Sequence, residues 1–507
     1  MTHEADRAPI NENTQVLTNT TPLVPASHLP PMEEETLLGW LVRAVLSAFA
    51  GVLAFAVVAG IVLAIIVPPW YRSLEPRYQV IWCNRLSVLC DLKAERPEDN
   101  VYALADADQD RLAAANALLA TDTPTPSPLP SDTPTPAFSP TPTQTIVVTQ
   151  APTDAPPTIT STPTITYTPS IAPTSTALPL PRFATLDLES IRWERQGWNN
   201  CGPTTMTIAL SYFGYTDTQK RAADFLKPNI EDTNVSPTQM VEFVNTVVGS
   251  EIATNALYRI GGTPDILKRL ITNNFPVIIE RGIQLPEEGW MGHYSMIVGF
   301  DDNTDEYLLF DSYYGSDNGD GRRYGQDFIE DGWQQFNYTF IVLYQQSRQS
   351  RLNEILGQQY ATFENSAQTA LNIARAEANQ DLDDKYAWFN IGTALIQLGN
   401  YEDAALAYDR ARSLNLEFRM MWYQFGPYIA YYQTQRFNDV LAVALASEKT
   451  TPYVEETYYY RGLVYAAQGK PDSAVFQFDR ALEYNPNFVA ATEAKQAVLQ
   501  GRFRGPS

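Results

Sequence analysis

The chain has 507 residues, a formal net charge of −23 and 36 prolines, many of them crowded between Thr121 and Pro181. Such length and unevenness exclude a single compact soluble domain. With 58 acidic against 35 basic residues, binding of nucleic acid through its phosphate backbone is excluded as the main task.

Residues 1–36 are rich in Thr, Asn, Pro and Glu, carry no hydrophobic period and read as a disordered tail. Residues 37–70 read as a transmembrane anchor in contact with the lipid bilayer. Ala44 to Val67 is uncharged and apolar, and as a helix it would run about 36 Å against a hydrocarbon core of about 30 Å. Trp40, Trp70 and Tyr71 stand where interfacial aromatics belong, and Pro68-Pro69 are expected to end the helix. A cleavable signal peptide fits less well, because the apolar run is too long, the preceding tail is not basic and the small residues form no clean cleavage site. Arg43 on one side and Arg72 and Arg77 on the other leave the charge rule nearly undecided. The long Thr/Pro linker and the close pair Cys83 and Cys90 suit an oxidising exterior. The expectation is a single-pass protein of the cell membrane with a cytoplasmic N-terminus and its bulk outside.

Residues 71–120 form a juxtamembrane segment ending in the helical patch RLAAANALLA. Residues 121–182 are a Pro/Thr-rich disordered linker, unable to bury a core and short of backbone donors. Its roughly 60 residues would reach about 190 Å as polyproline II and about 45 Å as a coil, a tether that holds the C-terminal part of the chain away from the bilayer.

From residue 183 the composition becomes globular. Ser236-Pro237-Thr238-Gln239 is a capping box, and Thr263-Pro264-Asp265 signs a second helix start. The strand-like runs PVIIERGI, HYSMIVGF, YLLFDSYY and FNYTFIVLY come after them. Helices first and sheet afterwards is an α+β order, here over residues 183–348.

Residues 351–500 read as helices only. Trp388, Gly392, Leu395, Gly399, Tyr401, Ala404, Tyr408 and Ala411 recur 70 positions later as Tyr458, Gly462, Tyr465, Gly469, Pro471, Ala474, Phe478 and Ala481, two units of about 35 residues. Trp422, Gly426 and Phe437 mark a degraded middle copy, Asn485-Pro486 closes the last one, and an earlier copy is expected around Leu356, Gly357 and Tyr360. This pattern resembles the tetratricopeptide repeat, which implies an all-α solenoid whose concave face holds a peptide or protein partner.

The histidine and cysteine inventory narrows the chemistry. After the apolar window only His293 remains, and Cys201 stands alone in the globular part. One of each is too few for a Cys/His zinc site, and no metal or other cofactor is expected. One of each suffices for a nucleophile and its base. Cys201 precedes an amphipathic run with Pro203 in its first turn, so the positive end of a helix would stabilise a thiolate. Gly202 would let a substrate backbone approach, and an amide from Gln196 or Asn200 could complete an oxyanion hole with the Cys201 N–H. His293 opens one strand and Asp311 ends the next; paired antiparallel through a turn at Asp301–Asp305, the two strands would make these residues neighbours.

The blocks WNNCGPTT, GHYSMIVGFDD and the Asp-Ser at 311–312 occur in that order. In these blocks residues 183 to about 345 resemble the C39-like peptidases, papain-related cysteine peptidases. The resemblance implies a papain-like α+β fold with the cysteine helix packed on an antiparallel sheet. It also implies Cys201 as nucleophile, His293 as general base, Asp311 as its orienting carboxylate and Gln196 as the oxyanion residue. Gln196 lies five positions before Cys201, one fewer than is common in papain-like enzymes. Trp193 and Trp198 suit either a substrate groove or the core. Asp301–Asp305 lacks the glycine and the terminal glutamate of a calcium loop and reads as a hairpin turn, and Asp317–Gly321 reads as a flexible loop.

The fold class is therefore multidomain: one transmembrane helix, a papain-like α+β domain and an all-α repeat solenoid. The function expected is a membrane-tethered cysteine peptidase that hydrolyses peptide or amide bonds, with repeats that recruit substrate or partner. The alternative is a non-catalytic envelope scaffold that binds peptides through both modules.

Overall fold

The computed structural model describes residues 37–61, 65–86, 89, 102, 109–120, 179–286 and 288–506. The N-terminal tail, Cys90 and residues 121–178 of the linker lie outside them. The chain divides into two compact units, Met1–Lys93 and Ala94–Ser507.

In the first unit, one helix spans Leu37–Ile61, and its stretch Gly39–Ile61 is long and apolar enough to cross a membrane. None of that stretch is buried by protein, so its apolar side chains have no core of their own to fill. The expectation that Pro68-Pro69 end a helix needs correction. Both prolines lie in the first turn of a short helix, Val67–Arg72, where a missing N–H leaves no helical bond unmade. A further helix spans Pro76–Arg85. Tyr71 is buried and its hydroxyl donates to the Gln79 carbonyl at 2.7 Å, tying the two short helices together. Cys83 is buried and disulfide-bonded.

The second unit is built on one antiparallel sheet. Its strands are β1 (Phe183–Thr185), β2 (Thr254–Arg259), β3 (Val277–Leu285), β4 (Gly289–Asp301), β5 (Glu306–Phe310), β6 (Arg322–Gly325) and β7 (Phe340–Gln345). They lie in the order β2-β7-β3-β4-β5-β6, with β1 paired to β4. The central strands are buried along nearly their whole length. The helix Cys201–Ser211 packs on β3 and β4, and every residue from Gly202 to Ser211 is buried. Met206, Ile208 and Leu210 join Ile278, Met296 and Phe340 in one core. Both expected helix starts form: Ser236 and Gln239 make a reciprocal capping box, and the Thr263 hydroxyl caps Pro264–Thr272.

The repeat region pairs Lys385–Gln397 with Tyr401–Ser413, Gly426–Gln433 with Phe437–Thr450, and Glu455–Ala467 with Pro471–Tyr484. Val489–Leu499 covers the last pair. Two recurring glycines have a steric cause. A Cβ on Gly392 would stand 2.7 Å from the Tyr408 ring, and one on Gly462 would stand 2.5 Å from the Phe478 ring. Leu356, Gly357 and Tyr360, expected to begin an earlier copy, instead lie across the junction between the helices Gln349–Leu356 and Phe363–Gln380. The Tyr360 hydroxyl there donates to the Gly261 carbonyl at 2.9 Å. Sheet domain and repeats share further contacts. Asn390 Nδ2 donates to the Gln334 carbonyl at 2.7 Å, Gln424 Nε2 donates to the Gln335 carbonyl at 2.9 Å, and Trp290 and Phe336 are buried in the repeats' apolar cluster.

Candidate active site

Strand register builds the site. β4 pairs with β3 so that His293 faces Arg281, and with β5 so that Met296 faces Phe310. The hairpin turn between β4 and β5 is closed by the Asn303 N–H donating to Asp301 Oδ1 at 3.0 Å. Asp311, the first residue after β5, thereby reaches His293. Nε2 of His293 lies 3.1 Å and 3.0 Å from the two Asp311 carboxylate oxygens. Asp311 thus engages Nε2, leaving Nδ1 as the other ring nitrogen, and Cys201 is close enough to add to the electrostatics of the ring.

Asp311 is wholly buried and saturated with donors. The backbone amides of Tyr313 and Tyr314 each donate to Oδ1 at 2.9 Å, the Ser295 hydroxyl donates to Oδ2 at 2.8 Å, and Arg281 Nη2 reaches Oδ2 at 3.3 Å. Burial opposes its charge, but His293, Arg281 and the Tyr314 amide outweigh burial and hold the carboxyl well below the usual range. For His293, burial likewise works against the cation, yet Asp311 and Cys201 prevail and push it up to about 9. Glu280, on the opposite face of β3, is pushed up to about 8 by burial, with Cys201 adding to the rise. At neutral pH the site thus holds the cations Arg281 and His293 against the anion Asp311, with Glu280 neutral.

Cys201 is the first residue of its helix, and Asn200 before it provides no side-chain cap, so the first helical N–H groups point at the sulfur's end of the helix. Gly202 does not serve the role expected of it. It is buried, and a Cβ there would stand 3.2 Å from Val235 and 3.4 Å from the Tyr294 ring, so the residue admits a neighbouring side chain rather than a substrate. The two candidate oxyanion amides differ. Asn200 Nδ2 is tied to Gln219 Oε1 at 3.0 Å. Gln196 accepts from the Ser312 hydroxyl through its carbonyl at 2.8 Å and is anchored by its own N–H to the Ser312 carbonyl at 2.9 Å, which leaves its NH₂ as a donor. Trp193 donates to the Asp311 carbonyl at 2.8 Å, and Trp198 donates to Glu231 Oε2 at 3.0 Å. Within Asp317–Gly321, the residues Asp317–Gly319 form a short 3₁₀ helix just before β6.

Arg281, Ser295 and Glu280 were not singled out from the sequence. Their signal was present: a Glu-Arg pair inside the apolar run PVIIERGI marks charges forced into a core. Tyr423 of the repeats gave no such signal. A Cβ on Gly292, next to His293, would lie 2.9 Å from the Tyr423 ring and 2.8 Å from Phe336.

The domain is thus a helix headed by Cys201 laid on an antiparallel sheet that carries His293 and the buried Asp311. Residues 185–341 match the model of the Peptidase_C39 like family, and residues 385–418 and 455–488 match models of the tetratricopeptide repeat. The chain therefore carries a C39-like peptidase domain followed by tetratricopeptide repeats. Among solved structures it is similar to a crystal structure described as a C39-like peptidase from Bacillus anthracis, at 13% identity and a TM-score of 0.25, over 32% of this chain and 98% of that one. Comparison with curated proteins finds no match.

Proposed function

We propose that this protein is a membrane-tethered cysteine peptidase acting outside the cell, in which Cys201, His293 and Asp311 hydrolyse peptide or amide bonds. The observation that carries this reading is the His293 ring held by the buried Asp311 carboxylate at 3.0 Å on the strand against which the helix headed by Cys201 packs. The sulfur attacks the carbonyl carbon, and its electrons displace the π pair onto oxygen, where the Cys201 N–H and the Gln196 NH₂ receive the charge. The imidazolium then gives its proton to the departing amine. Neutral imidazole next takes a proton from water, the resulting hydroxide attacks the thioester, and the acid leaves with the thiol restored. Asp311 holds the ring and stabilises its cation throughout. The apolar helix Gly39–Ile61 supports the anchor, and the disulfide-bonded Cys83 supports an oxidising exterior. The repeats supply a surface for protein partners.

The test is hydrolysis of a mixed peptide pool by the full-length protein, read by mass spectrometry, against Cys201→Ser and Cys201→Ala. Both variants are expected to lose cleavage while a thiol-directed alkylating probe labels Cys201 in the wild type alone. Undiminished cleavage by Cys201→Ala would remove the reading. No cleavage by the wild type and an inert Cys201 would favour a scaffold that binds peptide without cutting it.

A further inference from the structure

A segment from outside the repeats packs on the repeat helices. Tyr102 belongs to the juxtamembrane segment, yet its ring is buried among repeat helices. Its hydroxyl donates to the Phe418 carbonyl at 2.8 Å, and its carbonyl accepts from Arg412 Nε at 2.7 Å. The helix Gln109–Ala117 lies along the repeat helix Tyr401–Ser413, with Arg111 Nη1 3.6 Å from the buried carboxylate of Asp409. Ala115 and Leu118 are buried in the same apolar cluster as Ala370, Leu371 and Tyr408. The repeat helices pair with one another without this segment, so it is an addition to the solenoid rather than part of its repeat.

We infer that Tyr102 together with residues 109–120 is the resident partner of the repeat domain, a latch in cis that attaches the peptidase and repeat body to the N-terminal part of the chain independently of the Pro/Thr stretch. The chemistry recognised is a tyrosine buried to its hydroxyl followed by a small-residue helix bearing Leu118 and one arginine. Joined through roughly 60 intervening residues, the latch faces its groove at an effective concentration in the millimolar range. A competing partner must present similar chemistry and exceed that concentration scaled by the ratio of affinities.

The test requires neither turnover nor a bilayer. The full chain is given an N-terminal affinity tag and a site for a sequence-specific protease within residues 121–178, solubilised in detergent, immobilised and cut to completion. The C-terminal fragment is expected to stay with the tagged fragment, because the latch still holds it. Excess peptide spanning residues 102–120 should then elute it, and the double variant Tyr102→Ala, Leu118→Asp should lower retention by about tenfold or more. Both substitutions lie in the latch, and unchanged helical circular dichroism of the uncut variant shows that the repeats remain folded. Wash-off of the cut wild-type fragment overturns the inference, as does retention that neither the peptide nor the double variant diminishes.

Discussion

Replacing Asp311 by Asn keeps the size of the side chain and removes the charge that sustains the His293 cation. His293 is buried, and burial alone would lower its pKa; Asp311 and Cys201 instead raise it from 6.5 to about 9. That rise corresponds to about 3.4 kcal/mol of preference for the protonated ring. In Asp311→Asn the ring should titrate no higher than about 6.5. At pH 8 the imidazolium fraction then falls from about 0.9 to about 0.03, a loss of about 30-fold in the species that protonates the leaving amine. The assay is kcat/KM on a cleaved peptide amide from pH 5 to 10. The wild type should hold its rate to about pH 9, and the variant should lose it above pH 6.5 while approaching the wild type near pH 5.5. A p-nitrophenyl ester, whose leaving group needs no proton, should show a smaller alkaline loss in the variant. An unshifted alkaline limb for the amide would refute the reasoning. Stability should track the same groups. The raised His293 stabilises the fold fully below about pH 6.5 and loses its contribution as pH rises through about 9, whereas the depressed Asp311 contributes above about pH 4 and loses it on acidification.

Gln196→Ala should lower kcat by about 10²- to 10³-fold with little change in KM, as expected for an oxyanion donor, and equal cleavage by variant and wild type would exclude that role. Arg281→Met removes a cation that is 1% exposed and bonds both Ser295 and Asp311. Breaking such a buried pair should cost about 3 kcal/mol or more, read as a lower midpoint in urea unfolding. Gly292→Ala must displace Phe336 or Tyr423, with a loss of about 1–3 kcal/mol and reduced activity, checked by melting temperature and kcat together.

Much of the site was legible because it rests on local signals. Cys201 announces a helix start through the Gly-Pro after it, and His293 on one strand and Asp311 just past the end of the next are joined by a short acidic turn, so hairpin geometry brings them together. Gln196 versus Asn200 was not decidable from spacing, since the choice depends on which amide other side chains occupy, Gln219 in one case and Ser312 in the other. Arg281 escaped notice because an arginine in a strand gains meaning only when its partner carboxylate, 30 positions away, is in place.

The sequence by itself determined the features that periodicity and composition set within a few dozen residues: the apolar helix, the capped helices, the strand runs and the 70-residue recurrence of the repeats. Only the tertiary structure decided that Tyr423 stands over Gly292, that Tyr360 ties the repeats to the sheet domain, and that Tyr102 lies in the repeats, bonded to a carbonyl 316 positions away. The reason is physical. Short-range pattern records which face of an element must be buried, whereas the partner that covers it is chosen by shape and unmet hydrogen bonds once all the elements compete for the same surfaces.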